Sequence, residues 1–97
     1  MWTAAGNGSE RWTVQRDEGF EEDRLALEPI YPRIARVFLV LERQFERLPS
    51  LNSRRLSGEV WLYRTRLAFG APPLFIYYEI SEADHVVYLL AATLAGA

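Results

Sequence analysis

The side chains best equipped for chemistry in this chain are arginines, and they are unevenly spread. All eleven basic residues are arginine, and eight of them (33, 36, 43, 47, 54, 55, 64 and 66) lie between residues 33 and 66, against Glu42, Glu46 and Glu59 only. The flanks are acidic. Three arginines meet seven carboxylates over residues 10–28, and 67–97 contributes Glu79, Glu82 and Asp84 with no basic residue. A basic middle inside a chain of net charge −2 suits contact with phosphate or with an acidic partner. It equally suits a solvated helix face, so charge alone does not choose. Two places concentrate the charge: Arg54-Arg55 in a polar stretch, and Tyr63-Arg64-Thr65-Arg66, where two guanidiniums stand two residues apart. On a strand that spacing puts both on one face.

Other chemistries are excluded by residue type. With His85 the single histidine and no cysteine, there is no zinc site of the usual kind and no disulfide framework. No glycine-rich phosphate loop follows a strand. A Ser–His–Asp arrangement would have to use His85, and no nucleophile elbow surrounds it; it reads as an exposed turn histidine beside Asp84. No cofactor is implied. Tyr77, Tyr78 and Glu79 are the remaining polar candidates, and alternation puts Tyr77 and Glu79 on one face and Tyr78 on the other.

The elements that must position these residues follow from periodicity. Trp12, Val14 and Arg16 alternate with Thr13, Gln15 and Asp17, predicting a short strand. The segment 18–29 has acidic residues in its first turn and a proline at its end, which predicts a helix. Arg33–Leu48 carries Ile34, Val37, Phe38, Leu41, Phe45 and Leu48 at three- and four-residue steps, the apolar stripe of an amphipathic helix. Leu51–Gly58 reads as a polar loop. Val60–Leu67 and Phe75–Ile80 read as strands separated by Gly70, Pro72 and Pro73, and Ser81–Asp84 as a polar hairpin turn. His85–Leu94 is nearly all apolar and is expected to be a third strand buried on both faces, although residues 89–97 suit a short helix as well. The expected fold is α+β: an N-terminal strand, a two-helix hairpin, then an antiparallel three-strand meander, with the helices on one face of the sheet.

Ninety-seven residues allow one domain, with 49% hydrophobic and 25% charged content typical of a globular chain. Residues 1–10, small, polar and Gly-rich, read as a flexible arm before a single domain over 11–97. The longest apolar run falls well short of the roughly 20 residues that span a bilayer. Residues 1–10 also lack the charged and apolar regions of a secretory signal. The expected location is cytoplasmic, with no membrane partner.

The C-terminal half resembles the RelE/ParE superfamily of toxins from toxin–antitoxin pairs. Leu56-Ser57-Gly58 is similar to its leucine–x–glycine loop, Tyr63-Arg64-Thr65-Arg66 to its basic strand, Ile76-Tyr77-Tyr78-Glu79-Ile80 to its next strand, and Val86–Leu90 to its apolar last strand. The resemblance spans residues 12–92. It implies the toxin component of a type II system, a growth inhibitor neutralised by a cognate antitoxin that lays a segment across the sheet or the helical hairpin.

In the branch that cleaves mRNA on the ribosome, the resemblance assigns Arg64 and Arg66 to stabilising the charge that builds on phosphorus when the 2′-OH attacks. Tyr77 is a weaker catalytic candidate, and Arg54 and Arg55 would contact RNA or another target. Two departures weaken the nuclease expectation. Phe75 stands where that branch has an arginine, and Leu94, Ala95, Gly96 and Ala97 follow the last strand where it has proton-transferring residues. The gyrase-poisoning branch needs neither. The expectation is therefore a weak or non-nucleolytic toxin, with the ribosome-dependent endoribonuclease and a non-toxic interaction module of the same fold left open, and with ribosome and mRNA or DNA gyrase as the alternative targets.

Overall fold

The computed structural model describes residues 11–66 and 70–96; the expected arm, 1–10, lies outside them. Seven elements follow in order: β1 (Thr13–Arg16), α1 (Glu18–Leu27), α2 (Ile34–Arg47), β2 (Arg54–Ser57), β3 (Val60–Arg64), β4 (Leu74–Ser81) and β5 (Val86–Leu94). The strands form one sheet in the order β1-β5-β4-β3-β2. β1 runs parallel to β5, and every other pairing is antiparallel. The α+β expectation holds, with one strand more than the meander was expected to have.

That strand, β2, lies in the expected loop: Arg54–Ser57 is exposed at every position and so has no inward alternation to betray it. It exists by pairing. Gly58, at φ +52°, opens a two-residue turn that an L side chain enters at a cost. The turn folds Arg54 opposite Leu62, Arg55 opposite Trp61 and Ser57 opposite Val60, with an irregularity between Arg55 and Ser57 that leaves Leu56 unpaired.

Both helices lie on one side of the sheet, and the core is what they enclose. From α2 come Ile34, Val37, Phe38, Leu41 and Phe45, from α1 Phe20, and from the sheet Leu74, Ile76, Tyr78, Ile80, Val87, Leu89 and Ala92. Phe45 packs against Tyr78 at 4.3 Å and edge-on against Tyr63 at 5.9 Å, while Phe20 meets Phe38 edge-on at 5.0 Å. Leu48 leaves the expected stripe. The helix ends at Arg47, and Leu48 turns outward to 56% exposure.

β5 corrects another expectation. It is a strand through Leu94, not a helix, and it is buried on one face only: Val87, Leu89 and Ala92 point into the core while Tyr88 and Ala91 are half-exposed. Beyond Leu89 it outruns β1, so α1 covers its edge. The Asp17 amide donates to the Leu89 carbonyl at 2.9 Å, and the Ala92 amide donates to the Asp23 carboxylate at 2.8 Å. The helix approaches so closely that a Cβ on Gly19 would fall 2.9 Å from the Leu90 carbonyl oxygen. Arg16 ties β1 to α2 through Glu42 at 2.6 Å and reaches Glu21 of α1 at 3.4 Å.

His85 is not the exposed turn residue expected. It takes φ +58°, stacks on Trp12 with ring centroids 4.0 Å apart, and buries Nε2 without an acceptor among the described residues. Within the described residues no helix is long and apolar enough to cross a membrane.

Candidate functional site

Residues directly opposite each other on antiparallel strands share a face, so the register sorts the candidates. Tyr63 lies opposite Ile76 and Trp61 opposite Tyr78, and these four belong to the helix side. The rows between them therefore face away from the helices. One row runs Arg54–Leu62–Tyr77–Ala91, the next Arg64–Phe75–Thr93, and a third Val60–Glu79–Tyr88. Same-face rows are roughly 7 Å apart, twice the rise per strand residue. Arg54, Arg64, Tyr77, Glu79 and Tyr88 are thus gathered on one open sheet face.

The other arginines are placed elsewhere. Arg66 falls beyond the end of β3, so the strand that would align it with Arg64 stops before reaching it. It lines a groove on the helix side with Val37, Val40, Leu41, Gln44, Tyr63 and Thr65. The Thr65 amide donates to the Leu74 carbonyl at 2.8 Å and its hydroxyl accepts the Leu74 amide at 2.8 Å, which ends the ladder locally. Arg55, opposite Trp61, also faces the helix side, with its guanidinium carbon 5.3 Å from the indole centroid. Arg55 and Trp61 border a cavity of about 300 Å³ with Trp12, Arg47, Glu59 and Glu82. The five candidate residues therefore divide into an open-face group of Arg54, Arg64 and Tyr77 and a helix-side pair of Arg55 and Arg66.

Arg54, Arg64 and Arg66 are exposed, and among the described residues none has a carboxylate within ion-pair range. The contrast is with Arg16 and Arg24, which are committed to Glu42, Glu21 and Glu28. Uncommitted guanidiniums are available for an anionic ligand. Tyr78, adjacent in sequence to Tyr77, is structural: it is fully buried with its hydroxyl in hydrogen-bond reach of the Pro49 carbonyl and the Ser53 hydroxyl. Sequence reasoning missed Tyr88, which faces the same side as Glu79. Its signal was the alternation Val87–Tyr88–Leu89, hidden by reading the whole run as buried. Among the described residues no cluster of His, Asp or Glu has the make-up of a metal site.

No protein-family model matches the sequence, and no curated protein matches it. Solved structures do. A chain of the toxin–antitoxin complex RelBE2 from Mycobacterium tuberculosis superposes with a TM-score of 0.69 at 17% identity, covering 87% of this chain and 98% of that one. A chain of the archaeal RelE–RelB complex from Pyrococcus horikoshii OT3 superposes with a TM-score of 0.62 at 21% identity, covering 88% and 96%. Superposition over nearly the full length of each neighbour, on a strand, a helical hairpin and a meander, gives this chain the fold of the RelE-type toxins.

Proposed function

We propose that this chain is the toxin component of a type II toxin–antitoxin pair, a cytoplasmic growth inhibitor held inactive by a cognate antitoxin, with weak or no ribonuclease activity. The observation that carries the reading is a RelE-type fold whose helix-free sheet face presents Arg54 and Arg64 with no carboxylate partner among the described residues. Support for an antitoxin partner comes from the two neighbours, both of which are chains of toxin–antitoxin complexes.

The make-up of the open face supports the expectation of low nuclease activity. Arg64 is the candidate for stabilising a phosphorane, and the residue directly across from it is Phe75, which brings no second charge. General acid–base help is typically worth about 10²–10⁴ in rate, and a lost charge-stabilising donor about 10²–10³ more. Tyr77 is the one hydroxyl in the neighbouring row. A ribosome-dependent mRNA endoribonuclease is the second reading, favoured by the shared face of Arg54, Arg64 and Tyr77.

Pulsed expression in bacteria tests both. Growth arrest is expected, with translation and DNA supercoiling followed separately to identify the target as ribosome or gyrase. Addition of the purified protein to translating ribosomes is expected to leave mRNA ends unchanged. Prompt cleavage in the ribosomal A site, abolished by Arg64→Ala, would establish the endoribonuclease instead. Absence of any arrest would leave a non-toxic interaction module.

A further inference from the structure

The cavity bordered by Arg55 and Trp61 lies where the end of α2 meets the turns that join β2 to β3 and β4 to β5. Its volume is about 300 Å³, at the lower end of the roughly 300–1,000 Å³ typical of small-molecule sites. Four charged side chains line it, two of each sign: Arg47 from the last position of α2, Arg55 from β2, Glu59 from the β2–β3 turn and Glu82 from the β4–β5 turn. Among the described residues none of the four forms an ion pair, with each other or elsewhere. Opposite charges that share one small cavity and stay unpaired leave both donors and acceptors open to a ligand.

Two indoles add flat apolar surface. Trp12 is held beside the end of α2, because its amide donates to the Glu46 carbonyl at 2.8 Å, and one face of its ring carries His85. Trp61 carries the Arg55 guanidinium, whose carbon is 5.3 Å from the ring centroid. Ile80 of β4, buried, and Leu48, 56% exposed, also border the space. A ligand that satisfies this lining has a flat aromatic body for the rings, an edge of N–H donors for the carboxylates and an anionic group for the arginines.

We propose that this cavity binds a free guanine nucleotide. Among the nucleic-acid bases only guanine sets two N–H donors side by side on its pairing edge, and a single carboxylate accepts both. Adenine and cytosine place an acceptor beside their amine, and uracil flanks its N–H with carbonyls, so a carboxylate is repelled by each. The base lies on the ring face of Trp12 that His85 leaves open, with its donor edge on Glu82, in the turn that leads to His85. Glu59 accepts from the ribose hydroxyls, and Arg47 and Arg55 take the phosphate. The site is separate from the open face that gathers Arg54, Arg64 and Tyr77, and it does not rest on the toxin reading.

The test is calorimetric titration of the full chain with guanosine, adenosine and cytidine monophosphates and with guanosine, tryptophan fluorescence being followed alongside. Guanosine monophosphate should bind saturably and quench the fluorescence. The adenosine and cytidine nucleotides should bind weaker by about ten-fold or more, the discrimination of one bidentate base contact. Arg47→Ala should weaken guanosine monophosphate several-fold and leave guanosine unchanged, because it meets only the phosphate. Glu82→Gln should narrow the preference for guanine over adenine, since an amide offers adenine both a donor and an acceptor. Both side chains are exposed and without ion-pair partners among the described residues, so neither change should move the thermal midpoint.

The proposal fails if guanosine monophosphate does not saturate, if the adenosine nucleotide binds equally, or if Arg47→Ala weakens guanosine as much as its phosphate. Tighter binding of free tryptophan would also overturn it and give the cavity to an aromatic amino acid. A large fall in thermal midpoint in both variants would do the same, because the charges would then hold the fold. Growth arrest is read separately: arrest without nucleotide binding removes this site and keeps the toxin, and binding without arrest does the reverse.

Discussion

The phenol of Tyr78 is enclosed between the end of α2 and the sheet, and burial pushes its ionisation up to about 12, partly offset by the Ser53 hydroxyl. The folded protein therefore keeps a proton that the unfolded chain releases near the ordinary phenol value of about 10. Above that value the unfolded state binds fewer protons, so stability falls as pH rises from about 10 toward 12. Urea midpoints should drop across that window, and the drop should be smaller in Tyr78→Phe. At neutral pH the same variant should lose about 1–3 kcal/mol, because the Pro49 carbonyl keeps its burial and loses its donor. Alternation in the sequence separated Tyr78 from Tyr77 and Glu79. It did not reveal what Tyr78 holds, since Pro49 and Ser53 are 29 and 25 residues away and meet it only through the tertiary fold.

At the scale of elements, legibility tracks how strongly each element depends on its own burial pattern. α2 was readable because five of its side chains are driven into the core at helical spacing. Phe45, fully buried against Tyr63 and Tyr78, is its pivot. Phe45→Ala should cost about 3–5 kcal/mol, visible as a lowered thermal midpoint or outright unfolding. β2 was unreadable because it buries nothing and borrows its order from β3, and β5 was ambiguous because half-exposed Tyr88 and Ala91 are as apolar as the buried positions beside them. For the site, the same dependence on distant partners hid the split of the arginines: Arg66 left the strand, and Arg54 and Arg55 diverged to opposite faces once β2 paired. α1 carries the sharpest test. Alanine is favoured over glycine inside a helix by about 1 kcal/mol, so Gly19→Ala should stabilise an isolated α1. In the folded chain it should destabilise, because the Leu90 backbone carbonyl occupies the space. Circular dichroism of the peptide and thermal melting of the domain should move in opposite directions.

Over the whole molecule the arginines segregate by duty. Arg16 fastens β1 to α1 and α2 and Arg24 pairs along α1, whereas among the described residues Arg43, Arg47, Arg54, Arg64 and Arg66 hold no carboxylate and are exposed. Raising ionic strength should therefore weaken any anionic partner much more than it weakens the fold. Parallel measurements of binding and of urea midpoint from low to high salt check this; equal sensitivity of both would mean that the outward charges are structural.

The strand that joins the two ends of the fold has a consequence in time. β5 lies between β1 and β4 and also receives α1, yet of the five strands it is synthesised last. Until it emerges from the ribosome, β1 has no strand to pair with and the β4 edge that β5 will occupy stands open. The nascent chain can form its helices and hairpins but cannot close its core, so the sheet face that gathers Arg54, Arg64, Tyr77, Glu79 and Tyr88 is assembled only once β5 is made. Ribosome-bound chains arrested before Val86 should be cut rapidly by protease, and those extended by a linker past Leu94 should resist it.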